Sequence, residues 1–106
     1  MMTREQIEHM LDGTEIEYRY HHFETEEAVN PPFICWLIPG TENFSADGIV
    51  YLNINELNIE LYTDQKDFDL ERRVEKQLDD NGIFWDKSEV YIESENMYEV
   101  LYEMEV

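Results

Sequence analysis

The sequence predicts an α+β domain: a two-layer sandwich in which a mostly antiparallel sheet of four to five strands carries two helices on one face. Three observations support this. Stretches such as "EIEYRY" and "YEVLYEMEV" alternate apolar and polar residues, as a half-buried strand requires. Around Ile7–Leu11 and Leu70–Leu78 the apolar residues recur at helical spacing instead. Consecutive strands joined by short links favour antiparallel neighbours, with the helices gathered on one side. At 106 residues the chain is expected to be a single domain, 1–106, with one core.

Taken in order, the first element is a short helix. Thr3 and Gln6 have capping-box spacing, Ile7, Met10 and Leu11 form an apolar stripe, and Gly13 is a stop. "EIEYRY" follows as a strand with Ile16, Tyr18 and Tyr20 on one face. The acidic "ETEEAVNPP" reads as a loop, and "FICWLIP" as a central strand, covered on both faces by its own chain or by a neighbouring subunit. "GTENFSADG" reads as a second loop. The next stretch, "IVYLNINELNIELYTD", has its large apolar residues on even positions through Ile54 and on odd ones from Leu57. The slip at Asn55-Glu56 predicts a bulge or kink in one long strand, because Asn-Glu without glycine makes a poor hairpin turn. A second helix is capped by Asp67, buries Leu70, Val74 and Leu78, and ends at Asn81-Gly82. Two strands, Ile83–Ile92 and Met97–Val106, close the chain. In the last, Tyr98, Val100, Tyr102, Met104 and Val106 face inward, and Glu99, Glu103 and Glu105 outward with Leu101.

The charge narrows the function. Twenty-six acidic residues against seven basic ones give a formal net charge of −19, which repels phosphate backbones and anionic membranes. Aromatics make up 13% of the chain, a supply that argues for a folded core rather than disorder. The single cysteine, Cys35, sits in an apolar run and reads as a buried hydrophobe. No apolar stretch approaches spanning length and the N-terminus lacks the pattern of a signal peptide, so a soluble cytoplasmic protein is expected.

Few residues point to chemistry. His21 and His22, adjacent on a strand, are expected to point to opposite faces, and no other ligands have zinc-site spacing. "TDQKDFDLE" lacks the glycine and the closing glutamate of a calcium loop, so Asp64 and Asp67 read as helix-start charges. No phosphate loop or activated nucleophile is evident, so neither an enzyme, nor a cofactor, nor a metal site is expected. Four of the seven basic residues, Lys66, Arg72, Arg73 and Lys76, gather in or beside the second helix. They serve either internal pairs, such as Asp69 with Arg73, or a basic patch docking on the acidic face of a neighbour in a head-to-tail ring.

"PPFICWL", "NFSADGIVYLNINELNIELYTD" and "NGIFWDKSEVYIESENMYEVLYEMEV" resemble a group of small prophage proteins of Gram-positive bacteria, over nearly the whole chain from Met2 to Val106. In texture and element order this group is similar to siphophage tail-terminator and tail-completion proteins. The resemblance implies a ring, commonly a hexamer, that caps the tail tube and meets the major tail protein and head-tail connector proteins. It implies a place in the host cytoplasm during assembly and in the virion afterwards. In such a ring Arg72, Arg73, Lys76, Phe33 and Trp36 are the candidate subunit contacts. Phe44, Asp47 and Tyr51 lie on a candidate projecting arm, and Glu99, Glu103 and Glu105 are candidate lumen acids past which DNA slides without specific binding. The rival expectation is an acidic DNA mimic that inhibits a nucleic-acid-binding host protein.

Overall fold

The chain order is α1 (Arg4–Asp12), β1 (Tyr18–Tyr20), β2 (Phe33–Leu37), β3 (Phe44–Ala46), β4 (Ile49–Leu52), β5 (Glu56–Thr63), α2 (Phe68–Asp80), β6 (Trp85–Ile92) and β7 (Met97–Glu105), with a 3-10 turn at Glu93–Glu95. The structure is a computed structural model that describes residues 2–24, 27 and 29–106, with backbone only at 46 and 50–52. Five strands form one sheet in the order β1-β2-β5-β7-β6, and β3-β4 form a separate two-stranded sheet. The α+β architecture holds, with a mixed sheet. Every pairing in the five-stranded sheet is antiparallel except β1 with β2, which are parallel. The connection between these two strands spans residues 21–32, long enough to return the chain to the same end.

Both helices lie against one face of the five-stranded sheet. Ile7, Met10 and Leu11 of α1 and Leu70, Val74 and Leu78 of α2 share a core with Ile34, Trp36, Leu57, Ile59, Leu61, Val100, Tyr102 and Met104. The caps are those expected: Thr3 and Gln6 form the capping box, and Asp67 accepts from Leu70 N at 3.0 Å. Gly13 ends α1 with right-handed φ, so it is not a left-handed cap. A Cβ there would come within 2.7 Å of the Gln77 side-chain amide on α2, the far end of a flexible side chain that would have to move aside.

The phase slip has a different cause from the one expected. Ile49 to Thr63 is not one bent strand but two strands in two sheets, joined through residues 53–55. At the joint Asn55 exchanges backbone bonds with Val106, and Glu42 N donates to the Ile54 carbonyl at 2.8 Å. The slip falls where the chain passes from one sheet to the other. "GTENFSADG" is likewise more than a loop, because it contains β3 and a two-residue turn. Asp47 (φ 53°) and Gly48 (φ 75°) are both left-handed and sit between the paired Ala46 and Ile49. Asp-Gly is a strong signal for this turn, whose twist matches that of a hairpin.

Candidate functional surfaces

Among the described residues no helix or second sheet covers the side of the main sheet away from the two helices, although Phe23 lies against Phe33 at one edge. On β5 the buried Leu57, Ile59, Leu61 and Thr63 face the helices, so Glu56, Asn58, Glu60 and Tyr62 face outward. On β7 the outward set is Glu99, Leu101, Glu103 and Glu105. The three glutamates expected on one face therefore do share one. The strand register places Asp86, Glu56 and Glu60 with them. Its rows run Phe33–Tyr62–Glu99–Val90, Cys35–Glu60–Leu101–Ser88 and Leu37–Asn58–Glu103–Asp86. No lysine or arginine points outward from β2, β5, β6 or β7.

The electrostatics of this face follow from that one-sidedness. Partial burial, then the charge of Glu99, raises the Glu60 carboxyl above its ordinary value, although the Tyr62 hydroxyl donates to it at 3.3 Å. Burial, with Glu60 and Glu99 nearby, pushes the Cys35 thiol up to about 11, so it stays protonated and unreactive at neutral pH. Phe33 is half-buried by its own chain, stacked on Tyr62 at 5.0 Å and edge-on to Phe23 at 5.1 Å. Trp36, expected as a subunit contact, is only 3% exposed and belongs to the core, because its even position turns it toward the helices.

On the helix side, acids are matched by cations. Glu71 and Glu75, at 2% and 3% exposure, project from α2 beside Val74 and Leu78. Lys87 Nζ lies 2.8 Å from Glu71 Oε1 and 2.7 Å from Glu75 Oε2. The Glu71 contact lacks hydrogen-bond geometry and is electrostatic. Lys66 reaches the other Glu71 oxygen at 2.6 Å and also Glu89. The Tyr102 hydroxyl donates to Glu75 at 2.8 Å. Burial alone would raise Glu75. Its bonds from Lys87 and Tyr102 and the charges of Lys87 and Arg72 overcome that and hold it below the ordinary carboxylate value. For Lys87, burial is outweighed by Glu71 and Glu75, and its pKa is raised. The sequence signal for this network was the i, i+4 spacing of Glu71 and Glu75 on the stripe side, together with Lys87 in the inward phase of β6.

The basic patch resolves into internal contacts. Arg72 pairs with Glu75 at 3.2 Å and Lys76 with Asp80 at 2.8 Å, while Arg73 donates to the Thr14 carbonyl rather than to Asp69. Arg72, Arg73 and Lys76 thus have partners in their own chain, the internal alternative for these residues.

His21 and His22 do not diverge as an extended strand would require. β1 ends at Tyr20, His21 is left-handed (φ 67°), and the two Nδ1 atoms lie 3.1 Å apart. Among the described residues no group of three or more histidine, cysteine or acidic side chains converges on a metal position. No helix among them is long and apolar enough to cross a membrane.

The β3-β4 hairpin exposes Phe44 (60%) and Ile49 (71%), with Asp47 at its turn. Two members of the expected arm, Phe44 and Asp47, are therefore at the surface, and the Tyr51 side chain lies outside the described residues. Beside the hairpin root, Met2, Arg4, Ile7, Tyr20, Trp36, Ile38 and Asn55 line an open groove of about 360 Å³ that sequence reasoning did not anticipate. Comparison with family models, curated proteins and solved structures finds no match.

Proposed function

We propose that this chain is a non-enzymatic virion assembly protein, a tail terminator or tail-completion component that works as a ring, commonly hexameric, at the head-tail junction. Its partners on this reading are further copies of itself, the major tail protein and the head-tail connector proteins. It acts first in the host cytoplasm and then in the virion. The observation that supports the reading is the outer sheet face, where Glu56, Glu60, Asp86, Glu99, Glu103 and Glu105 meet no cation from the strands around them. Turned toward a lumen, such a face repels phosphates within a Debye length of about 8 Å, so DNA slides past without adhering. Native mass spectrometry with and without the major tail protein tests this. A closed multimer, alone or on the tube protein, is expected. A chain that stays monomeric in both conditions overturns the ring.

The same face favours a second reading, an acidic mimic of nucleic acid. Phe33, Leu37, Tyr62, Val90 and Leu101 lie among the carboxylates, and a protein partner would use this apolar surface where a water-filled lumen would not. On that reading the monomer ignores tube protein and displaces duplex DNA from a basic DNA-binding protein.

A further inference from the structure

Two apolar features of this surface are complementary and lie on different parts of the chain. The first is the hairpin, which presents Phe44 and Ile49 to solvent and carries the carboxylate of Asp47 at its turn. The second is the groove between the start of α1 and the ends of β1 and β2. Its walls are Met2, Ile7, Tyr20, Trp36 and Ile38, and Arg4 stands at its rim. At about 360 Å³ it accommodates a large side chain. Arg4 is 73% exposed along its side chain and uses its Nε on Glu8 at 2.7 Å. Among the described residues neither terminal guanidinium nitrogen has an acceptor. An apolar hook carrying an acid thus exists in the same molecule as an apolar eye carrying a cation.

We infer that the β3-β4 hairpin of one copy docks in the α1–β2 groove of the next, with Phe44 in the groove and Asp47 on Arg4. The occupant is a second copy of this chain because the hairpin carries both groups the groove calls for, an exposed aromatic side chain for its apolar walls and a carboxylate for Arg4 at its rim. Arg4 keeps donors for a neighbour. The contact is heterologous, since hook and groove are different surfaces. It therefore propagates head-to-tail and closes when the rotation per subunit permits. The apolar part must supply most of the association, because two chains of −19 repel one another. This inference names the interface of the proposed ring and rests on that reading for closure, though not for the contact itself.

The test combines native mass spectrometry with photo-crosslinking of the full chain, alone and with the major tail protein. A benzophenone-bearing phenylalanine replaces Phe44 in a mixture of ¹⁴N and ¹⁵N protein, so that crosslinks between copies carry mixed isotope labels. Mixed-label crosslinks to Met2, Trp36 or Ile38 are expected, and Phe44→Ser should weaken self-association about tenfold or more with an unchanged thermal transition. Asp47→Arg should weaken it too, and Asp47→Arg combined with Arg4→Glu should restore it. Multimers whose crosslinks map elsewhere, or that survive Phe44→Ser undiminished, overturn the hook and leave the ring standing. Groove crosslinks in open chains or swapped dimers keep the hook and overturn the ring. Crosslinks to tube protein alone overturn the hook, and a protein monomeric in every condition overturns both.

Discussion

Glu75 and Glu60 lie on opposite sides of one sheet, and their environments shift them in opposite directions. Glu75 is the more deeply buried, yet Lys87, Tyr102 and Arg72 hold it below the ordinary carboxylate value. Glu60 is only half-buried, yet with Glu99 nearby and no outward lysine or arginine on β5 or the strands beside it, it is held above that value. The difference teaches that burial alone does not decide the fate of a carboxylate here; the nearest partner does. The helix side is a completed interior, apolar with its charges neutralised. The outer side has half-buried apolar rows and acids that no cation on the neighbouring strands offsets.

The largest effect should come from the completed side. Trp36→Ala removes a core side chain and is expected to cost about 3–5 kcal/mol in urea unfolding, whereas Phe33→Ala on the outer face should cost roughly a third of that. Equal losses would mean that the outer face is also core. Next, Lys87→Met leaves Glu71 and Glu75 with less compensation. A loss of about 2–3 kcal/mol is expected, below the usual value for a broken buried pair because Lys87 is one-third exposed and Lys66 still reaches Glu71. On the outer face the sign should reverse. Glu99→Gln is expected to stabilise the fold by about 0.5 kcal/mol at neutral pH and to move Glu60 toward its ordinary value in an NMR titration. A destabilised variant would break the comparison.

Acidification separates the two sides most directly. Because the folded-state pKa of Glu75 is lowered, its contribution holds above the ordinary value of 4.5 and disappears as the pH falls through the folded value. Because that of Glu60 is raised, its contribution is complete below 4.5 and is lost as the pH rises through the folded value. Urea midpoints of Glu75→Gln and Glu60→Gln, followed from pH 7 down to about 3, should therefore approach the parent's from opposite sides, Glu75→Gln from below and Glu60→Gln from above. The smallest effect belongs to the hairpin. Gly48→Ala at φ 75° should loosen the turn by about 1 kcal/mol, visible in amide exchange of β3 and β4 and absent from global unfolding.

Alternation and capping made much of this fold legible. The α1 capping box, the Asp67 cap, the α2 stripe and the inward and outward sets of β7 stand where local pattern put them. Each depends on neighbours within a turn or on a period of two, which sequence records directly. The Asp47-Gly48 turn signal was present too, but it fell in a polar stretch that reads as a loop, and the poor turn chemistry of Asn55-Glu56 favoured one long strand after it. What sequence could not supply was pairing across distance. The parallel partner of β1, the transfer of the chain between two sheets at residues 53–55, and the gathering of Lys66 and Lys87 around Glu71 were fixed by tertiary contacts alone. So was the removal of Arg73 from Asp69 to the Thr14 carbonyl.

By itself, then, the sequence determined an acidic α+β chain with two capped helices and a last strand whose glutamates share one side, because charge count and local periodicity are properties of the chain. Only the tertiary structure decided which acids are neutralised and which are left open. A lysine 16 or 12 residues away in the chain, as Lys87 is from Glu71 and Glu75, becomes a partner only when strand register and helix packing bring it within 3 Å.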